Sequence, residues 1–179
     1  MVMPFVVLPA DGQADLADAA DLFRAYAAAL PVDLGYQGFE AELAGLPGKY
    51  APPSGALLLA RTPSGEAIGC VAMRPIDAGR ICEMKRLYVT PAARGLGLGR
   101  ALIRAIVDQA RTAGYGEMRL DTLPTMHAAL AMYDRAGFTQ IGAYYPTPVE
   151  GTIFLAMRPR RSMWWAFPPM ASCCPCTVR

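Results

Sequence analysis

Residues 82–113 read CEMKRLYV, then TPAARGLGLG, then RALIRAIVDQARTA, and no other stretch constrains the fold as strongly. The first part ends in Leu87-Tyr88-Val89 and is closed by Thr90-Pro91, a pair that stops a strand because proline cannot donate to the ladder. The last part carries apolar residues at Leu98, Ala101, Leu102, Ala105 and Ile106, which is helical spacing. A strand and a helix are thus joined by a glycine-rich turn. Such a unit aims several backbone N–H groups and the positive end of a helix dipole at one point, and glycine lets a ligand approach closely. The sequence therefore predicts an anion site there, most simply for a phosphate.

Three phosphate-binding patterns use glycine in this way. A nucleotide-triphosphate loop needs Gly-x4-Gly-Lys-Ser/Thr, and no lysine follows these glycines. A dinucleotide fingerprint needs Gly-x-Gly-x-x-Gly directly after a strand. Here Gly97-Leu98-Gly99 is followed at the third position by Leu102, several residues beyond the strand, and Asp121 at a ribose-contact distance does not repair the pattern. A nicotinamide-dependent oxidoreductase would betray itself by affinity for that cofactor. The third pattern, Gln/Arg-x-x-Gly-x-Gly/Ala, is met by Arg94, Gly97 and Gly99.

With EMKRLYV before the loop, MRLDT at 118–122, MYDRAGF at 132–138 and YYPTP at 144–148, the chain resembles the GNAT superfamily of N-acetyltransferases, bacterial type, over about residues 5–158. The resemblance implies an α/β fold: a mixed, mostly antiparallel sheet of six to seven strands with helices on both faces. It implies acetyl-CoA as co-substrate, no metal, and transfer of the acetyl group to a primary amine of a small molecule or protein by direct attack in a ternary complex. A non-catalytic acyl-CoA-binding regulatory module is the alternative. By the same resemblance a splay beside the central strand exposes backbone at Leu87, Tyr88 and Val89 to the pantetheine arm and thioester oxygen. The N–H groups of Arg94, Gly95, Leu96, Gly97, Leu98, Gly99 and Arg100 hold the pyrophosphate, with the Leu98 side chain turned to the core.

Acetyl transfer needs a neutral nucleophile. A lysine-like amine of pKa ~10.4 is neutral in only about one molecule in 2,500 at pH 7, equivalent to ~4.6 kcal/mol. Glu83 matches the strand position of the base in the histone-acetyltransferase branch; it stands equally to be a structural ion pair with Lys85, two residues on and on the same strand face. Tyr133 matches the tyrosine that protonates the departing thiolate, on a helical face with Ala129 and Ala136; a core tyrosine with a satisfied hydroxyl is the other reading. By the same resemblance, acceptor contacts are expected from Tyr36, Gln37 and Phe39 in the segment that covers the cleft, or these pack that loop, and from Tyr144 and Tyr145 in a second variable loop. The presence of both Glu83 and Tyr133 favours an enzyme, since a sensor needs neither. A cysteine route is unattractive, because Cys82 points away from Glu83 and the single histidine, His127, reads as a surface residue on another helix.

Along the chain, an edge strand is predicted at residues 4–8, helices at 15–30 and 39–43, and a hairpin at 56–60 and 66–74 with its turn at Thr62-Pro63-Ser64-Gly65. Asp77-Ala78-Gly79 turns the chain into the central strand at 82–89. The helix at 97–113, a strand at 117–121, a helix at 126–135 capped by Thr125, and strands at 138–141 and 152–158 complete a GNAT domain over residues 1–159. Residues 160–179, with Trp164, Trp165, Phe167 and three of the five cysteines, read as an irregular or surface-docked tail.

With 54% hydrophobic and 18% charged residues the chain is apolar, yet no uninterrupted run reaches the ~18 residues of a membrane helix, so no membrane partner is expected. The N-terminus lacks a basic region before its short apolar run, which makes a cytoplasmic location the expectation. A net charge of +2 with scattered arginines argues against nucleic acid. The cysteines form neither a disulfide framework nor a zinc pattern. A homodimer follows by analogy with relatives that pair across their last strands.

Overall fold

The computed structural model describes residues 4–77 and 80–159, so the Trp- and Cys-bearing tail and the Ala78-Gly79 turn lie outside the described residues. One seven-stranded sheet, in the order β1-β2-β3-β4-β5-β7-β6, organises the rest. Its strands are β1 (Val6–Pro9), β2 (Ala56–Arg61), β3 (Ala67–Pro75), β4 (Ile81–Val89), β5 (Glu117–Thr122), β6 (Thr139–Ile141) and β7 (Ile153–Met157). Every neighbouring pair is antiparallel except β4 and β5, which run parallel and are joined by a helical crossover. The expected mixed, mostly antiparallel α/β sheet is therefore present, with β1 at its edge.

The crossover is α3 (Leu98–Thr112), whose Leu98, Leu102, Ile103, Ile106 and Ala110 form a buried stripe. That stripe lies on Met73, Met84, Met118 and Leu120 from the sheet, joined by Tyr133 of α4 (His127–Arg135). Leu102 and Ile106 are fully buried, each contributing about 1.5–3 kcal/mol. The opposite face is covered by α1 (Gly12–Ala28) and α2 (Phe39–Ala44), which bring Ala19, Leu22, Phe23, Phe39 and Leu43 onto Leu57, Leu59, Cys70 and Ala72.

Two local expectations are corrected. Helix α1 starts at Gly12 rather than at residue 15, because the Asp15 carboxylate turns back and accepts the Asp11 N–H at 2.8 Å. Thr125 does not cap α4; Met126 occupies that position and no side chain bonds the helix start. Among the described residues no helix is long and apolar enough to cross a membrane.

Candidate active site

The geometry begins with one extra residue in β4. Ala72 of β3 opposes Lys85 and Cys70 opposes Tyr88, so Val71 alone faces both Arg86 and Leu87, and the strand bulges there. Arg86 absorbs the bulge with φ of 57°, the one non-glycine left-handed residue among those described. Such a backbone costs about 1–3 kcal/mol and persists only where the surroundings impose it. They do so here. The Glu42 carboxylate on α2 accepts hydrogen bonds from Arg86 Nε at 2.8 Å and Nη2 at 3.0 Å. Phe39 and Tyr26 present ring faces 5.2 and 5.9 Å from the guanidinium, and Tyr50 donates its hydroxyl to Glu42 at 3.0 Å. Burial alone would raise the Glu42 carboxyl, but the Arg86 hydrogen bonds and charge outweigh it and hold the group below its usual value.

The bulge changes which residues share a face. Cys82 and Met84 point into the core under α3, as Leu87 and Val89 do, while Tyr88 packs with α1. Lys85 and Arg86, adjacent in sequence, both present their side chains to the α1 face, where their partners Asp121 and Glu42 lie. Beyond this point the parallel strands part. Ladder pairing between β4 and β5 covers only Ile81, Cys82 and Glu83 opposite Glu117, Met118 and Arg119. From Lys85 onward the β5-facing backbone edge of β4 has no strand partner, which is the splay expected from the sequence.

A cavity of about 840 Å3 occupies the gap and is lined by residues from both faces of the sheet. On the α3 side its wall includes Met84, Leu98, Leu120, Ala129, Met132 and Tyr133; on the α1 side, Tyr26, Leu30, Val32, Leu34, Tyr36 and Tyr88. At the start of α3 the turn is completed by Gly97, left-handed with φ of 78° and standing as the helix N-cap. A Cβ on Gly99 would meet Met132 Sδ at 2.8 Å, so a larger residue there requires the Met132 side chain to shift. Arg94 and Arg100 line the cavity at this helix start, and Arg135 lines it from the end of α4. Backbone N–H groups, a helix dipole and these three guanidinium groups fit the phosphates of an acyl-CoA, and the unpaired edge of β4 fits an amide-bearing arm.

Two titratable side chains face the gap from opposite sides. Tyr133 is buried, packs edge-on against Phe138, and its hydroxyl has no hydrogen-bond partner among the described residues although it is not sealed from the cavity. Burial first, then Tyr26 and Asp121, push this phenol well above its usual 10, so it keeps its proton at neutral pH. On the α1 side Asp121 lines the cavity and accepts a hydrogen bond from Lys85 Nζ at 2.9 Å. Cys82, behind the wall, is pushed up to about 12, chiefly by burial, which disfavours a thiolate nucleophile.

Glu83 sits one position off the cavity wall. It is 1% exposed, bound through Oε2 by Arg74 Nε at 2.7 Å and through Oε1 by the Tyr144 hydroxyl at 2.7 Å. Lys85 Nζ lies 3.9 Å from it, so the ion pair foreseen with Lys85 is secondary to the one with Arg74. Leu87, Tyr88, Val89, Arg94, Gly95, Gly97, Leu98, Gly99, Arg100, Tyr133, Tyr36 and Gln37 are on the wall as a group. Phe39 lies beneath Arg86, Leu96 is half-exposed outside the cavity, and Tyr144 and Tyr145 pack edge-on against Phe154. Sequence reasoning missed Asp121, Lys85 and Arg86 as wall residues. The parallel register could have found the first pair: Glu83 opposes Arg119, and two residues further along each strand stand Lys85 and Asp121. Among the described residues no cluster of His, Cys, Asp or Glu is placed to hold a metal.

Comparison with known proteins follows the same lines. The sequence profile of the Acetyltransferase (GNAT) family matches residues 20–138. An uncharacterized N-acetyltransferase of Schizosaccharomyces pombe is 40% identical over 143 residues, 80% of this chain and 88% of that protein. A crystal structure from Klebsiella pneumoniae, described as that of a proposed acyl-CoA N-acyltransferase, superposes with a TM-score of 0.67 at 29% identity, covering 87% of this chain and 98% of that one. A Salmonella typhimurium protein solved with its cofactor acetyl-CoA shares the fold at a TM-score of 0.60 and 20% identity, covering 89% of this chain and 96% of its own.

Proposed function

This chain belongs to the GNAT family of acetyl-CoA-dependent N-acetyltransferases, and on that premise we propose that it acetylates a primary amine by direct attack in a ternary complex. The observation that carries the reading is the cavity through the sheet, with an unpartnered, proton-bearing phenol on one face and a carboxylate on the other. Acetyl-CoA supplies the acyl group in thioester form. The α3 face, with its helix start and arginines, receives the phosphates; the α1 face receives the amine. As the C–N bond forms and the C–S bond breaks, Asp121 takes the proton of the amine and Tyr133 Oη gives its proton to the leaving thiolate. Lys85 fixes the Asp121 carboxylate in place through its 2.9 Å hydrogen bond.

Glu83 is the second candidate proton acceptor, because it is buried on the same strand face and reaches the same lysine. Thiol release from acetyl-CoA across a panel of amines tests the activity, and Asp121→Asn beside Glu83→Gln separates the two carboxylates. A larger loss of kcat in the Asp121 variant supports the assignment. A larger loss in the Glu83 variant transfers the role, and binding of acetyl-CoA without turnover on any amine favours a regulatory module.

A further inference from the structure

The acceptor chamber has a composition that restricts the amine. Its α1-face wall is built from Tyr26, Leu30, Val32, Leu34 and Tyr36, closed at the sheet by Lys85, Arg86 and Asp121. Among the described residues Asp121 is the one acidic residue of the cavity wall, and it is already engaged by Lys85. The nearby buried carboxylates are paired as well: Glu42 is held by Arg86 and Tyr50, and Glu83 by Arg74 and Tyr144, while Asp33, which accepts the Gly35 N–H at 2.7 Å, is exposed and not part of the cavity wall. Of the remaining described wall cations, Arg94 and Arg100 flank the start of α3, the side proposed for the phosphates, and Arg135 ends α4.

We propose that the acceptor is a monoamine with an apolar or aromatic body, and that polycationic amines are rejected. The inference rests on the transferase reading and narrows its substrate class. One amino group can meet Asp121 while the body of the molecule covers the leucine, valine and tyrosine side chains and sheds water from them. A second ammonium group finds no free carboxylate on the described wall; it is left desolvated against apolar side chains without a partner. An acidic amine gains little either, since both wall cations are matched by their own carboxylates.

The test compares kcat/KM for phenethylamine and hexylamine with that for spermidine, kanamycin and glutamate at saturating acetyl-CoA. The proposal expects the monoamines to lead by at least about tenfold, a difference of 1.4 kcal/mol. Val32→Asp, which adds a free carboxylate to a half-buried position of the apolar wall, shifts the spermidine-to-phenethylamine ratio upward by about tenfold. A second readout is independent of turnover: phenethylamine raises the melting temperature of the CoA-bound protein and spermidine does not. Spermidine, kanamycin or glutamate as the best acceptor overturns the proposal while leaving the transferase reading intact, and so does an unchanged ratio in the Val32 variant. Acetyl-CoA binding with no thiol release on any amine overturns both.

Discussion

Replacing Glu42 by Gln removes the charge that holds Arg86 in its left-handed backbone. The pair is buried, with side chains 7% and 2% exposed, and removing one partner of such a pair costs about 3–5 kcal/mol because the other charge is left uncompensated. For a domain of this size each kcal/mol is worth roughly 2–4 °C, so melting should fall by roughly 6–20 °C. The strain itself, about 1–3 kcal/mol, is then free to relax by flattening the bulge. Flattening would turn Tyr88 toward α3 and narrow the gap beside β5, and acetyl-CoA should bind about tenfold more weakly, equivalent to 1.4 kcal/mol. Adding Arg86→Gly removes the stranded cation and supplies a residue that adopts this φ without penalty. In a double-mutant cycle the combined stability loss should fall short of the sum by about 3 kcal/mol, and the double variant should recover acetyl-CoA affinity to within about threefold of native. Thermal melting and isothermal titration read both quantities. Losses that add within about 0.5 kcal/mol, or a double variant that binds acetyl-CoA as weakly as Glu42→Gln alone, would refute the lock.

Three further outcomes follow from the same geometry. Tyr133→Phe should lower kcat by about 100-fold with acetyl-CoA affinity nearly unchanged, since the phenol has no structural hydrogen bond to lose; unchanged turnover would remove its acid role. The Glu42 carboxyl is depressed from its usual 4.5, so its contribution to stability is complete above that pH and is lost as the pH falls below it. Melting temperature against pH should show that acid limb in the native protein and a shallower one in Glu42→Gln. Gly99→Ala should push Met132 into the cavity and weaken acetyl-CoA binding, with Gly99→Ala/Met132→Ala regaining affinity; a failure to regain it would place the fault elsewhere in the helix start.

Much of this architecture was legible because local signals and tertiary demands agree. The Thr90-Pro91 stop, the apolar stripe of α3 and the glycine turn each specify the same strand–turn–helix unit, and the structure realises it with boundaries within a residue. The bulge was not legible. Arginine carries no preference for a positive φ, and nothing local in KRLYV announces that two consecutive side chains share a face; the cause lies on α2, 44 residues away. Asp121 was hidden for a related reason. Its sequence neighbours suggest only a strand, and its chemical setting depends on a parallel partner with which it makes no ladder pair. Glu83 shows the converse case, a residue type and position that invite a catalytic role while Arg74 and Tyr144, from two other segments, occupy its oxygens.

The most direct test of the central claim is single-turnover thiol release with acetyl-CoA and an accepted monoamine, read in native protein, Asp121→Asn and Tyr133→Phe, with the acetylated amine identified by mass spectrometry. The account predicts stoichiometric product in the native protein and a chemical step slowed by about 100-fold or more in each variant, at similar acetyl-CoA affinity. Native-like single-turnover rates in both variants would contradict it.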